Sequence, residues 1–156
     1  MKIQKAKIKN LDEIVDLSSE SAVLHEKLTP YYKLDKNFKT ILKKSLKKNI
    51  YSSNGLILIA EEDNEIVGYL LAFKNYRPEM FDIKKTGLIA DIFIRENCRK
   101  KGVGKLLVKG SFDWFKKSKI KTVEINIESK NKPALNFWNT LDFKEVSIEK
   151  YKELKY

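Results

Sequence analysis

The strongest constraint on the fold of this chain is a short glycine-containing segment between a strand pattern and a helix pattern. Leu88–Ile94 is apolar and rich in isoleucine, which predicts a strand. Arg99-Lys-Lys-Gly-Val-Gly104 follows it, and apolar residues then recur at helical spacing from about Gly102. The residues of that helical stripe are Val103, Leu106, Leu107, Gly110 and Trp114. A strand, a tight turn and a helix in direct succession indicate an α/β fold.

The rest of the sequence adds strands and helices on both sides of this segment. Before it we expect a strand at Lys2–Ile8, a helix from an Asn10 N-cap to about Lys27, a helix after Asp35, and paired strands at Gly55–Glu61 and Ile66–Phe73. After it we expect a strand at Thr122–Ile127, a helix from Pro133 to Leu141, and a last strand at Phe143–Tyr151. The order β-α-α-β-β-β-α-β-α-β predicts a mixed, mostly antiparallel central sheet of about six to seven strands, flanked by helices on both faces.

Length and composition predict one soluble domain. A chain of 156 residues can bury a single continuous core, so we interpret residues 1–156 as one domain. No apolar run approaches the roughly 20 residues of a membrane helix, and the first residues lack a secretory core, so we expect a cytoplasmic protein that is not bound to a membrane. One cysteine, Cys98, and one histidine, His25, exclude a disulfide framework and predict no metal site.

The net charge of +11 by itself identifies no partner. Such a charge would suit nucleic acid, an acidic membrane or a phosphorylated ligand. The excess is mostly lysine, however, with only three arginines, and base or phosphate recognition usually relies on arginine. The simplest interpretation is a lysine-rich solvated surface, so nucleic acid is not the expected partner, although a nucleic-acid-binding protein stays a rival hypothesis. A homodimer stays open.

The segment Arg99–Gly104 has the composition of a phosphate-binding turn. Its glycines let the backbone approach a ligand, and the first turn of the following helix presents N–H groups that lack helical partners. Lysines on both sides add complementary charge. A dinucleotide fingerprint would need a glycine at Leu107, and a P-loop would need four residues between its glycines and a Lys-Ser/Thr pair. Taken alone, the segment could equally be a turn that caps a helix.

A second motif favours the phosphate-binding interpretation. Asn131-Lys-Pro-Ala-Leu-Asn-Phe-Trp-Asn-Thr-Leu-Asp-Phe143 follows the glycine segment. With Arg99–Gly104 it resembles the GNAT superfamily of N-acetyltransferases, whose patterns are Arg/Gln-x-x-Gly-x-Gly/Ala after a strand and then Asn-x-x-Ala-x-x-Phe-Tyr-x-x-x-Gly-Phe. The resemblance covers about Leu88–Phe143. It implies an acyl-CoA N-acyltransferase fold and direct transfer of an acetyl group from acetyl-CoA, the co-substrate, to an amine on a small molecule, polyamine or protein.

The resemblance also implies which residues hold acetyl-CoA. The backbone of the strand end would bind the pantetheine arm, the glycine segment would bind the pyrophosphate, Asn131 would bind the pantetheine region, and Trp138 would pack on the cofactor. The strand residues are Ile92, Phe93 and Ile94, and the residues of the glycine segment are Arg99, Lys100, Lys101, Gly102, Val103, Gly104 and Lys105.

Three positions depart from the family pattern. Trp138 stands where relatives often have the tyrosine that protonates the departing thiolate, and tryptophan has no ionisable proton. Asp142 replaces a glycine, and Ala90 stands where polyamine-type relatives can have an acidic base. Asp91 matches another acidic position of relatives. It could act as a base through water or as an anion that binds the acceptor, or it could be paired within the fold, because an unpaired buried carboxylate is costly.

The acceptor side is expected near the first two helices, with His25 and Tyr31 as its candidate binding residues. A packed or surface role for a single histidine is the alternative. The missing tyrosine also leaves open a non-catalytic acyl-CoA-binding regulatory module.

Overall fold

The computed structural model describes residues 1–155, which divide into two compact units. The first unit, Met1–Asn126, contains the whole sheet and three long helices, and the second begins at Ile127 and contains one short helix. The elements are β1 (Lys2–Lys5), α1 (Leu11–Leu28), α2 (Phe38–Tyr51), β2 (Gly55–Glu62), β3 (Glu65–Tyr76), β4 (Lys85–Ile94), α3 (Val103–Lys117), β5 (Val123–Ile125) and α4 (Lys132–Asn139). Short 3-10 turns lie at Ile8–Asn10, Pro30–Tyr32 and Glu96–Cys98.

The sheet confirms the predicted fold class. Its strand order is β1-β2-β3-β4-β5; neighbours are antiparallel except for the parallel pair β4 and β5. The described residues form five strands rather than six to seven, because the predicted last strand, Phe143–Tyr151, is not a strand. Its alternating apolar residues Val146 and Ile148 are 90% and 72% exposed. Alternation predicts which side chains share a face, but a strand also needs a partner for its backbone.

One face of the sheet is covered by α1 and α2. Ile57 and Ile59 of β2 belong to a buried cluster with Ile14 and Leu17 of α1 and Leu46 of α2. These side chains follow helical spacing on the helices and a period of two on the strand, which is why one packed layer joins them. This layer fixes α1 above the centre of the sheet.

The opposite face is covered by α3. A Cβ atom on Gly110 would lie 2.9 Å from Leu58 Cδ1, so α3 lies close to the sheet at this glycine. Gly87 of β4 is still tighter, because a Cβ atom there would lie 2.5 Å from the ring of Phe115. The position of α3 against β4 therefore depends on a glycine in the strand.

Several details of the predicted helices are wrong. Leu106 was expected on the packed face of the helix after the glycine segment but is 44% exposed, because it lies on the side of α3 opposite the buried Leu107, Val108 and Ser111. Asp35 does not cap α2. Its carboxylate accepts a hydrogen bond from the backbone N–H of Asn37, the true N-cap, at 2.7 Å.

Candidate functional site

Strand β4 loses one of its two neighbours halfway along its length. Its pairing with β5 joins Gly87, Leu88 and Ile89 to Val123, Glu124 and Ile125, and it ends there. Its pairing with β3 continues to the end of the strand, where Gly68 lies opposite Ile94. Within the part of the chain that the structure describes, Ala90–Ile94 therefore has one backbone edge that no strand occupies.

A β-bulge marks the point where β5 departs. Ala72 of β3 pairs with Ile89, whereas the preceding Leu71 pairs with Asp91, so Ala90 is an extra residue in β4. A bulge of this kind bends the strand and changes the direction in which the following side chains point. Ala90 is exposed, and the chain turns Asp91 toward α1.

Asp91 is the centre of a polar cluster between the sheet and α1. Its Oδ1 accepts a hydrogen bond from the Ser21 hydroxyl at 3.1 Å, and its Oδ2 accepts one from the Tyr69 hydroxyl. The Nε2 atom of His25 lies 3.9 Å from Asp91 Oδ1. The side chains of His25 and Asp91 are 33% and 23% exposed, so solvent or a ligand can reach both. The structure thus brings together two of the predicted site residues, Asp91 and His25.

Tyr69 of β3 donates a hydrogen bond to Asp91 from within the sheet. Its side chain is completely buried in β3. Burial, with the charge of Asp91 and the hydrogen bond to it, raises the pKa of the Tyr69 phenol well above 10; nearby hydroxyls of Ser18 and Ser21 lower it less. The phenol consequently keeps its proton at neutral pH and acts as a donor to Asp91.

Sequence reasoning missed Ser21 and Tyr69, although α1 carries a signal for the first. Ser18, Ser21 and His25 continue the spacing of three and four residues set by Leu11 and Ile14. Polar residues on the buried stripe of a helix need buried partners, so this pattern predicts a polar contact beneath the C-terminal half of α1. Tyr69 gives no such signal, because its pairing depends on the register between β3 and β4.

The glycine segment forms the turn that was expected before α3. Gly102 is the N-cap of α3 with φ of 82°, in the left-handed region that favours glycine. A Cβ atom on Gly102 would meet nothing within 4 Å, so the space in front of the helix is open. Lys100, Lys101 and Lys105 are exposed there, and the first turn of α3 has no acidic residue. The helix start is therefore accessible and positively charged.

Arg99 links this turn to β4. Its Nε donates to the carbonyl oxygen of Ile94 at 2.9 Å, and its guanidinium lies 5.4 Å from the centre of the Phe93 ring. Phe93 itself is buried against the α1 side of the sheet. Part of Arg99 thus orients the end of the strand, and contact of Arg99 with a cofactor stays a prediction.

The remaining predicted residues lie elsewhere. In the second unit, Asn131 caps α4 by accepting from the backbone N–H of Ala134 at 3.2 Å, and Trp138 is buried in edge-to-face contact with Phe137 and Phe143 at 5.0 Å. Tyr31 lies in the 3-10 turn after α1, is 53% exposed, and packs edge-on against Tyr32. Cofactor or acceptor binding by these residues stays a prediction.

The first unit also contains an acidic cleft of about 690 Å³, despite the overall positive charge. Its lining consists of Glu13, Glu20, Glu65, Arg95, Glu96 and Asn97. Arg95 lies 3.7 Å from Glu20 and partly offsets the negative charge. Residues 1–155 include no group of His, Cys, Asp and Glu side chains arranged to hold a metal, and no helix in that range has the length and apolarity to span a bilayer.

Comparison with known proteins identifies the class. Residues 13–143 match the model of the acetyltransferase (GNAT) family, and the chain belongs to that family.

An N-alpha-acetyltransferase of Sulfurisphaera tokodaii is 30% identical over 96 residues, which cover 58% of this chain and 57% of that protein. The chain thus spans less than two thirds of the length of this relative. The structure of a tetramutant of the BH1408 protein from Bacillus halodurans superposes with a TM-score of 0.88 at 18% identity, covering 99% of this chain and all of that one. An aminoglycoside N-acetyltransferase in complex with CoA superposes with a TM-score of 0.76 at 14% identity, covering 99% of this chain and 100% of that chain. These two likenesses show the fold.

Proposed function

We propose that this chain transfers an acetyl group from acetyl-CoA directly to an amine. The observation that carries the proposal is the open edge of β4, which starts at Ala90 and leads into the basic turn before α3. An extended pantetheine arm could pair with this edge as a short strand does. The pyrophosphate would then lie at the start of α3, where N–H groups and the helix dipole favour negative charge.

The residues present fit such a ligand. Gly102 leaves open space in front of the helix, and three exposed lysines surround it. The backbone of Ile92, Phe93 and Ile94 would bind the pantetheine arm, and that of Lys100 through Lys105 the pyrophosphate. Family members bind acetyl-CoA. The bound thioester supplies an activated acetyl group, and the chain supplies position and proton acceptors.

Asp91 and His25 are the proposed acceptor-side groups. A carboxylate attracts the ammonium form of an amine, and histidine is the side chain of this cluster that commonly exchanges protons near neutral pH. The ammonium would first lose one proton through water beside Asp91 to give the neutral amine. As the new C–N bond formed, the C–S bond would break, the second proton of the nitrogen would pass to His25 or through water beside Asp91, and the sulfur would leave as a thiolate. No metal enters the proposal.

Ordinary pKa values explain how Trp138 is compatible with catalysis. A thiol with a pKa of about 8.5 leaves tolerably as a thiolate near neutral pH. An alkyl amine with a pKa of about 10.4 must first lose a proton, which costs roughly 4–5 kcal/mol at pH 7. A proton acceptor therefore matters more than a general acid, and replacement of the family tyrosine should slow the reaction rather than abolish it.

The proposal covers several classes of acceptor amine, and similar proteins and the charge of the cleft indicate which classes to test. One similar protein is called an N-alpha-acetyltransferase and another an aminoglycoside N-acetyltransferase. The acidic cleft lined by four glutamates would suit an acceptor with several positive charges. A peptide with a free α-amine, an aminoglycoside and a polyamine are therefore the amines to compare.

A two-stage experiment tests the proposal. Thermal unfolding is measured with acetyl-CoA, CoA, ATP or duplex DNA, since a ligand that binds only the folded state raises the unfolding temperature. We expect both CoA species to stabilise the protein more than ATP or DNA does. Thiol release is then followed across the three amines. Lack of stabilisation by either CoA species at saturating concentration would refute the proposal, and stabilisation by DNA alone would favour the nucleic-acid alternative.

A non-catalytic acyl-CoA-binding module is the second candidate. Trp138 is buried between two phenylalanines and cannot donate a proton to a thiolate, and Ala90 at the bulge cannot act as a base. Binding of CoA without thiol release for any of the three amines would favour this candidate.

A further inference from the structure

The C-terminal segment, residues 144–150, has the sequence pattern of a strand but no strand partner. Val146 and Ile148 are β-branched residues two positions apart, the spacing of side chains that share one face of a strand. Their exposed fractions are 90% and 72%. The segment lies outside every described helix and strand, and no backbone hydrogen bond joins residues 144–150 to another described residue. Its backbone and its apolar face are therefore both available for pairing.

Strand β5 lacks a neighbour in a matching way. Its apolar alternation runs through Val123, Ile125 and Ile127, but only Val123–Ile125 pairs with β4. Among the strands that the structure describes, none occupies the other edge of β5. An edge strand with unpaired N–H and C=O groups is a template for a further strand. The outer edge of β5 can therefore accept a strand such as the C-terminal segment.

Exposed apolar side chains also lie on the loop that joins β3 to β4. These residues are Met80, Phe81 and Ile83. Arg77 of the same loop forms an ion pair with Glu124 of β5, which fixes the loop to that strand. A strand that pairs with β5 would therefore find apolar surface nearby for its own apolar side chains.

We infer that the C-terminal segment of one copy pairs with the outer edge of β5 in a second copy, and the reverse, so that two chains form a strand-exchanged dimer. The charges favour this arrangement. A net charge of +11 makes two copies repel each other in general, but the C-terminal segment contains two lysines and two glutamates and is neutral. The one charged residue of β5, Glu124, is paired with Arg77. Two copies can therefore meet at a surface that is locally neutral.

Reciprocity favours a second copy over an unrelated peptide. Within the single chain, the C-terminal segment and the outer edge of β5 both remain without a strand neighbour. Exchange between two copies makes the same contact twice about one two-fold axis, so the second strand pairs at a high effective concentration once the first is in place. It also covers the outer edge of β5 in both copies. We therefore expect dimers without larger assemblies.

The mass of the protein in solution is the first test. Light scattering over a range of protein concentrations should show a species with twice the mass of one chain. Ile148→Lys should weaken this dimer roughly 100-fold or more, because a reciprocal interface contains the substitution twice and each copy loses a buried isoleucine. Val146→Lys should act in the same direction. Ile41→Lys, at an isoleucine of α2 that is 58% exposed, adds the same charge elsewhere and should leave the dimer unchanged.

A wild type that stays monomeric at every concentration would overturn the inference, and so would an Ile148→Lys protein that dimerises as tightly as the wild type. Assembly beyond the dimer would contradict the closed exchange.

Nuclear magnetic resonance then identifies which chain supplies the strand. In an equilibrated, equal mixture of labelled and unlabelled protein, isotope-filtered spectra should show contacts between residues 144–150 of one copy and Val123–Ile125 of the other. The paired amides of the segment should exchange with solvent at least tenfold more slowly in the wild type than in Ile148→Lys. Contacts found only within one chain would mean that the segment completes its own sheet, and a dimer without these contacts would mean that the copies associate through another surface. Either result overturns the inference, and neither depends on acetyl transfer.

Discussion

The two halves of β4 share one strand but contact different things. The first half, Lys85–Ile89, pairs with β3 along its whole length and with β5 at Gly87–Ile89, and it lies under the Phe115 ring at Gly87. The second half, Ala90–Ile94, has a strand on one side only and leads to the glycine turn. The bulge at Ala90 is the boundary between them. Pairing on both edges at Gly87–Ile89 and tight packing at Gly87 make the first half structural, whereas the second half has an open edge, at which we propose that the ligand binds.

In the proposed site, the second half of β4 contributes two kinds of group, backbone groups for the cofactor and side chains for the acceptor. On the edge and in the turn, the proposed cofactor contacts come from backbone N–H and C=O groups, so most side chains there could vary. On the side facing α1, the proposed acceptor contacts come from two particular side chains, His25 and Asp91, and the Asp91 carboxylate accepts hydrogen bonds from Ser21 and Tyr69. We therefore expect substitutions in the first half of β4 to change stability, those at Asp91 to change use of the acceptor, and those in the glycine turn to change binding of the cofactor.

The largest expected effect is that of Asp91→Asn on acceptor use. The change removes the negative charge and keeps the size of the side chain, so kcat/KM for the amine should fall about 100- to 10,000-fold, the range typical of a lost acid–base group. Steady-state assays of thiol release measure the loss. Binding of CoA, measured by calorimetry, should stay within twofold of wild type.

A loss of CoA binding in Asp91→Asn would contradict the separation of acceptor and cofactor contacts. Equal kcat/KM in the variant and the wild type would show that Asp91 only supports the fold. The melting temperature distinguishes these outcomes from general unfolding.

The same contrast explains what the sequence could predict. Arg99–Gly104 was recognisable because a backbone-built turn needs glycine at a position such as Gly102, where φ is 82°. The Asp91 cluster joins residues 70 positions apart, Ser21 and Asp91, and its geometry depends on a bulge and a strand register. Register between β3 and β4 follows from long-range packing rather than local spacing. The sequence therefore predicted Asp91 and His25 as separate candidate residues, but it predicted neither their contact nor the hydrogen bond from Tyr69 to Asp91.

A second substitution tests the structural half of β4. Gly87→Ala would place a Cβ atom 2.5 Å from the ring of the fully buried Phe115, so the ring or the strand must shift. Overpacking of this kind typically costs about 1–3 kcal/mol of unfolding free energy, which urea denaturation measures. Gly110→Ala is the matched control. Its Cβ meets the flexible end of Leu58, and the gain in helix propensity of about 1 kcal/mol offsets the contact. Equal losses in the two variants would contradict a special role for Gly87.

The smallest expected effect concerns the glycine turn and compares Gly102→Asp with Gly102→Asn. Both residues tolerate positive φ better than other non-glycine residues do, and a Cβ atom at this position meets nothing within 4 Å, so both proteins should fold. The aspartate places a negative charge beside the proposed pyrophosphate, whereas the asparagine adds a side chain of the same shape without charge. Repulsion between the aspartate and a neighbouring pyrophosphate is worth about 1–2 kcal/mol near a protein surface. Gly102→Asp should therefore bind CoA roughly tenfold more weakly than Gly102→Asn. Added salt should reduce this difference in affinity, because it screens the repulsion. Calorimetric titration with CoA at two salt concentrations measures the two affinities and how their ratio depends on salt. If the two variants bind CoA equally, the pyrophosphate lies away from the start of α3, and the assignment of the cofactor to the second half of β4 loses its support.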